Sequence, residues 1–139
     1  MIILLDLNYT LVENSPERGI DPPPMSARLK TEIYRPWLVK LVRSHRVILV
    51  TARPARWREA TLARIRAQTG WCPQEAYFND RNLPPPSWKE LVLKAHLLTR
   101  FDPETMLALE SNPKTRAMYE RNGIRAVPVG DEPWTRLPV

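Results

Sequence analysis

The sequence predicts an α/β fold with a largely parallel central sheet, and three features carry that expectation. Short apolar runs alternate with amphipathic stretches along the chain, the pattern of repeated βαβ units. Several of those runs, among them "MIILL" and "VILV", lack any polar alternation, as strands covered on both faces require. The 139 residues, 43% of them hydrophobic, supply one core and not two, so one domain spanning 1–139 is expected.

The elements follow in order. Residues 1–6 read as a first strand, which ends on a lone carboxylate, Asp6. Residues 7–30 read as a loop, because "DPPP" at 21–24 defeats helix propensity. "TEIYRPWLVKLVRSH" fits a helix with Pro36 in its first turn and Leu38, Leu41 and Val42 at helical spacing. "RVILVT" at 46–51 is the second strand, and a helix over roughly 55–69 follows, opened by a proline and closed by Gly70. "EAYFN" is a short strand, and after the rigid "NLPPPS" loop Ser87 is placed to cap a helix through "WKELVLKAHLLTR". "ETMLALES" is a buried strand, "PKTRAMYERNG" a helix closed by Gly123, and "IRAVPV" a last strand before an irregular tail.

Composition narrows the function. With one cysteine, Cys72, there is no disulfide partner within the chain, and no His/Cys cluster has zinc spacing; Cys72 reads as a small core residue. No apolar run approaches the roughly 20 residues that span a bilayer, so no membrane partner is expected and the location expected is cytoplasmic. The net charge of +6, with arginine far outnumbering lysine, points to an anionic ligand and to phosphate in particular, which a guanidinium holds in bidentate fashion. His45 and His96 have no partner at motif spacing. The tryptophans read as core or loop anchors, except Trp57, which lies beside Arg53, Arg56 and Arg58 as a base-stacking candidate.

Four polar signals fall at the carboxyl ends of expected strands or at the start of a following helix: Asp6 with Asn8, Thr51 with Arg53, Lys89, and Glu110 with Ser111. In a parallel sheet all those ends face one edge, so residues far apart in sequence converge there on one site.

In that order, "LLDLNYTLV", "VILVTARP", "SWKELVLKAHLL" and "MLALESNPKTRAMYERNGI" resemble the four motifs of the haloacid dehalogenase-like superfamily of aspartate-nucleophile phosphotransferases. The lengths, together with "YRPWLVKLVRSHRVILVTARP" and "MYERNGIRAVPVGDEPW", are similar to the 3'-phosphatase domain of phage polynucleotide kinase-phosphatases. The resemblance implies a three-layer Rossmann-like fold and a hydrolase whose nucleophile, Asp6, becomes an aspartyl-phosphate that water then cleaves. It implies Mg²⁺ held by Asp6, the main-chain carbonyl of Asn8 and Glu110, with Ser111 a weak ligand where a second acid is common. Thr51 would bind a phosphoryl oxygen and Lys89 would neutralise phosphate and nucleophile, with Lys94 the competitor for that role; Lys89 is preferred because it lies in the first turn of its helix.

The family's second aspartate is a general acid/base, and Asn8 stands in its place. An amide can neither give nor take that proton, and such assistance is typically worth about 10²- to 10⁴-fold, so the resemblance implies a phosphatase that is slow or limited to good leaving groups. No stretch between the motifs is long enough for a substantial cap domain, so an open site is expected, with Arg53 and Arg56 beside it to grip backbone phosphates. The partner implied is a phosphorylated nucleic-acid end or a nucleotide. The alternative is a degenerate relative that binds phosphate or nucleic acid without turnover.

Overall fold

The computed structural model describes all 139 residues and contains a five-stranded sheet. Its strands are β1 (Ile2–Leu5), β2 (Arg46–Pro54), β3 (Glu75–Asn79), β4 (Met106–Leu109) and β5 (Arg125–Val127), in the order β3-β2-β1-β4-β5. Every neighbouring pair is parallel. The helices are α1 (Met25–Thr31), α2 (Pro36–Val42), α3 (Arg58–Thr69), α4 (Pro85–Val92) and α5 (Pro113–Arg121). No helix is long and apolar enough to cross a membrane.

The unbroken apolar runs become two-sided strands because successive side chains point to opposite faces. Ile3, Leu5, Val47, Leu49, Leu107 and Leu109 join one buried cluster with Leu38, Val42 and Ile65 from α2 and α3. Leu4, Ile48, Val50, Met106 and Ala108 join another with Trp88 and Val92 of α4 and Met118 and Tyr119 of α5. These are the three layers that the sequence predicts.

Register then decides where the polar residues go. Leu5 pairs with Leu49 on one side and Leu109 on the other. The ladder continues one step further, with Asp6 N donating to Leu109 O at 3.0 Å and Glu110 N to Val127 O at 3.0 Å. Asp6 and Glu110 therefore leave the centre of the sheet side by side at its carboxyl edge.

Several boundaries differ from the sequence reading. The region 7–30 is not loop throughout: residues 7–11 form a wide turn in which Leu11 N reaches Asp6 O and Val12 N reaches Leu7 O, and α1 follows the prolines. Only Leu29 of α1 is buried, so that helix has no apolar period to read. The helix expected from Thr31 starts at Pro36, because residues 32–35 are drawn out to pair Tyr34 with Val12. Strand β2 runs three residues past Thr51 to Pro54, which delays α3 to Arg58. Ser87 does not cap α4; that helix begins at Pro85 within the proline triplet, whose fixed φ suits a first turn. Past Val92 it widens into a turn over Leu93–Leu97, closed by Leu98 N to Leu93 O at 2.8 Å. Cys72 is half-buried rather than in the core. The irregular tail is anchored by Leu137, which is buried, and by Trp134 packed on Trp37 at 5.5 Å between ring centroids.

Candidate functional site

The centre of the carboxyl edge is a buried ion trio. Lys89 Nζ lies 2.8 Å from Asp6 Oδ1 and 2.5 Å from Glu110 Oε1, and all three residues are at least nine-tenths buried. Lys89 reaches them from the early turns of α4, whose Trp88 and Val92 pack with Leu4, Ile48 and Ala108 on one face of the sheet. Lys94 points away: its nearest acid is Glu90, at 3.8 Å, and its side chain is largely exposed.

The Asp6 carboxylate is held from every side. Oδ1 also accepts from Leu7 N at 2.9 Å, while Oδ2 accepts from Thr10 Oγ1 at 2.8 Å and Ser111 Oγ at 3.0 Å. Burial pushes its pKa up, but the Lys89 charge and hydrogen bonds with Glu110, Lys89 and Thr10 outweigh burial and hold it below the usual value. Burial and the neighbouring Asp6 charge raise Glu110 to about 7, with Lys89 opposing. Burial would lower Lys89, but its two carboxylates raise it, so it keeps its charge.

Asn8 is oriented by a second buried cluster. Arg53 Nη2 donates to Asn8 Oδ1 at 2.8 Å and to Glu32 Oε2 at 2.6 Å, while Nη1 donates to Glu32 Oε1 and Thr61 Oγ1 at 3.0 and 3.1 Å. Tyr34 Oη adds a bond to Glu32 Oε1 at 2.8 Å. A guanidinium only donates, so the Asn8 amide must present its oxygen to Arg53 and turn its NH₂ the other way. Position 8 is thereby a fixed hydrogen-bond donor. The turn that carries it is strained at the next residue, Tyr9, with φ of 62°, a conformation non-glycine residues seldom adopt. Tyr9 is restrained by Ser15 Oγ on its N–H, by Pro16 O on its hydroxyl, and by Arg18 stacked 3.7 Å from its ring.

Arg53 is therefore not on the open edge to grip backbone phosphates as the sequence reading has it. It is 2% exposed and committed to Glu32. The reason is that residues 32–35 run extended across the site instead of starting a helix. Arg56 is exposed, with its guanidinium 5.7 Å from the ring of Trp57, and does lie on the surface beyond β2. Thr51 sits two residues past Leu49, its hydroxyl accepting from Arg53 N at 3.1 Å and keeping its proton to donate.

The oxygens suited to a hard cation are arranged differently from the expected set. Glu110 spends Oε1 on Lys89 and Oε2 on Asn112 N. The neighbouring Ser111 hydroxyl instead lies 3.0 Å from Asp6 Oδ2 and 3.3 Å from Asn8 O. No group of three His, Cys, Asp or Glu side chains is placed to hold a metal. One carboxylate, one carbonyl and one hydroxyl nevertheless fit Mg²⁺, which takes oxygen ligands, needs only one or two carboxylates and completes its shell with water and substrate phosphate.

Glu32 and Thr10 also hold the site together. Thr10 lies within "LLDLNYTLV", where its spacing alone assigns it no partner. Glu32 had no signal, since its partner Arg53 is 21 residues away and its own surroundings read as helix.

No protein-family model matches the chain, and no curated protein sequence matches it. Solved structures do match in fold. A chain of the structure of the Pnkp1/Rnl/Hen1 RNA repair complex aligns with a TM-score of 0.68 and 22% identity, covering 94% of this chain and 43% of its own length. A chain of a second Pnkp1/Rnl/Hen1 complex structure aligns with a TM-score of 0.67 and 18% identity, covering 94% and 46%. This chain thus spans less than half the length of these two chains, and the likeness is one of fold.

Proposed function

We propose that this chain is a phosphohydrolase of the haloacid dehalogenase-like type that acts on the 3' ends of nucleic acids, or on nucleotides, through an aspartyl-phosphate at Asp6. The observation that carries the reading is a single carboxylate, kept ionised by a buried lysine, at the carboxyl end of the central strand of a parallel sheet. An ionised aspartate needs no separate base to attack phosphorus. The fold shared with chains of RNA repair complexes supports a nucleic-acid end as the substrate.

In this reading the Asp6 carboxylate forms a bond to phosphorus as the bond to the leaving oxygen breaks. Lys89, the Thr51 hydroxyl and the Asn8 NH₂ donate to the phosphoryl oxygens. The leaving oxygen takes its proton from solvent, because Asn8 has none to give. Water then attacks the acyl phosphate and returns the carboxylate. Asp6, the Asn8 carbonyl and the Ser111 hydroxyl are the groups that would hold Mg²⁺, which when bound neutralises the two anions that must meet.

A second reading, phosphate or nucleic-acid binding without turnover, is favoured by one observation: positions 8 and 111 both carry neutral side chains that donate hydrogen bonds. Turnover of an activated aryl phosphate and of a 3'-phosphorylated oligonucleotide, each with Mg²⁺ or with EDTA, separates the two. Phosphate release that needs Mg²⁺ is expected. Binding of both ligands with no release under any condition supports the second reading.

A further inference from the structure

Strand β3 is one of the two outer strands of the sheet, and a groove of about 440 Å³ runs along it between the start of α3 and the helix α4 with its widened continuation. That volume is in the range of small-ligand sites. The residues Ala76, Tyr77 and Phe78 are consecutive, so the groove straddles the free edge of the sheet rather than one face.

Its walls are mostly apolar, with Tyr77, Phe78 and Trp88 among them, and its charged residues are Arg58, Arg81 and Asp80. The rings of Tyr77 and His96 stack with centroids 5.1 Å apart and planes 20° from parallel, and His96 is exposed. Arg58 lies over the ring of Phe78 at 5.9 Å, while Arg81 reaches solvent at the rim beside Asp80. A free sheet edge invites a peptide strand, but Arg58 Nη1 donates to Ala76 O at 2.5 Å and so blocks the backbone pairing that strand addition uses. What remains is a flat aromatic face with positive charge around it, which matches a base on an anionic strand.

The groove also shares a wall with the site around Asp6. Trp88 lines it and donates its indole N–H to Thr51 O at 2.8 Å, and the next residue is Lys89. Ala55, four residues after Thr51, lines it as well.

We infer that the groove along the free edge of β3 is a nucleobase-binding site for the strand whose terminal phosphate enters the site at Asp6, an inference that rests on the function proposed above. The base stacks on the Tyr77–His96 pair and Arg58 flanks it, so the chain holds single-stranded ends by a base next to the phosphate and not by phosphate alone.

The test uses fluorescence-detected binding, in EDTA, of a 3'-phosphorylated oligonucleotide and of the same strand with its last two bases removed. The wild type is expected to prefer the intact strand by about five-fold or more, the scale of one stacked base. His96→Ala, which removes half the stack, and Ala95→Phe, which fills the groove, should each abolish that preference. Both positions are exposed, and thermal melts check that the fold survives. Aryl phosphate turnover should be unchanged in both variants. Equal affinity of the wild type for the two strands, or a preference that survives both substitutions, overturns the groove. Base preference without any aryl phosphate turnover leaves the groove standing and sinks the proposed hydrolysis; turnover without base preference does the reverse.

Discussion

At the scale of single residues, Asn8 and Lys89 define what the site can do. The Asn8 amide oxygen is held by Arg53, so its NH₂ is free to donate to a phosphoryl oxygen but moves no proton. Asn8→Asp places a carboxylate on the same guanidinium and supplies the missing shuttle. Turnover should rise by about ten-fold or more for substrates whose leaving group needs a proton, and least for an activated aryl ester. Steady-state rates on the two substrate types measure that contrast. Lys89 bridges the adjacent Asp6 and Glu110, and Lys89→Met leaves two buried carboxyl groups with no cation between them. Breaking a buried pair in this way costs about 3–5 kcal/mol, which urea unfolding at pH 8 should register. The loss should shrink toward acid, where the carboxylates take up protons. The sequence revealed the positions of Asp6, Asn8, Thr51 and Lys89 at one edge because strand ends in a parallel sheet share that edge. It could not reveal that Glu110 turns to Lys89 and leaves Ser111 facing Asn8 O, because adjacent residues leaving a strand diverge according to what they meet in space.

At the scale of elements, the boundaries decide the chemistry. Because 32–35 are extended, Glu32 reaches Arg53; because β2 overruns Thr51, Arg53 stands within the sheet and not in a surface loop. Both shifts are tertiary effects, invisible to local propensity. Proline punctuation misled at α4, where Pro85 and Pro86 are the first helical residues and not the end of a loop. The amino ends of β2 and β3 are tied by a different device: Glu75 accepts from Arg46 at 2.8 Å and from Arg100 at 2.6 and 2.9 Å. Hydrogen bonding from Arg100 is the chief cause that lowers Glu75 to about 2 from 4.5, against a smaller effect of burial. A depressed carboxylate stabilises the fold above its unfolded pKa and loses that contribution as pH falls through the folded one. Glu75→Gln should therefore melt lower than the wild type at pH 7, and the gap should close between about pH 4.5 and pH 2. Melting temperature against pH for the two proteins shows whether it does.

At the scale of the molecule, alternation of apolar runs and amphipathic stretches was enough to read a parallel three-layer sheet, since that pattern has few other solutions. The tail was not legible, because Trp134 and Leu137 are isolated apolar residues whose docking on Trp37 and the core depends on where the chain returns. The exposed Arg56, the oriented Asn8 amide and the aromatic groove of β3 suit the phosphorylated strand proposed above, around the carboxylate of Asp6. In the proposed reaction that carboxylate is the nucleophile, and every later step follows from its attack on phosphorus. Incubation with aryl phosphate and Mg²⁺, acid quench and peptide mass analysis measure it directly, since without a proton shuttle the acyl phosphate should accumulate. One phosphoryl group is expected on the peptide containing Asp6, and none in Asp6→Asn. An unmodified wild type, or a phosphoryl group that persists when Asp6 is replaced, contradicts the nucleophilic role of Asp6.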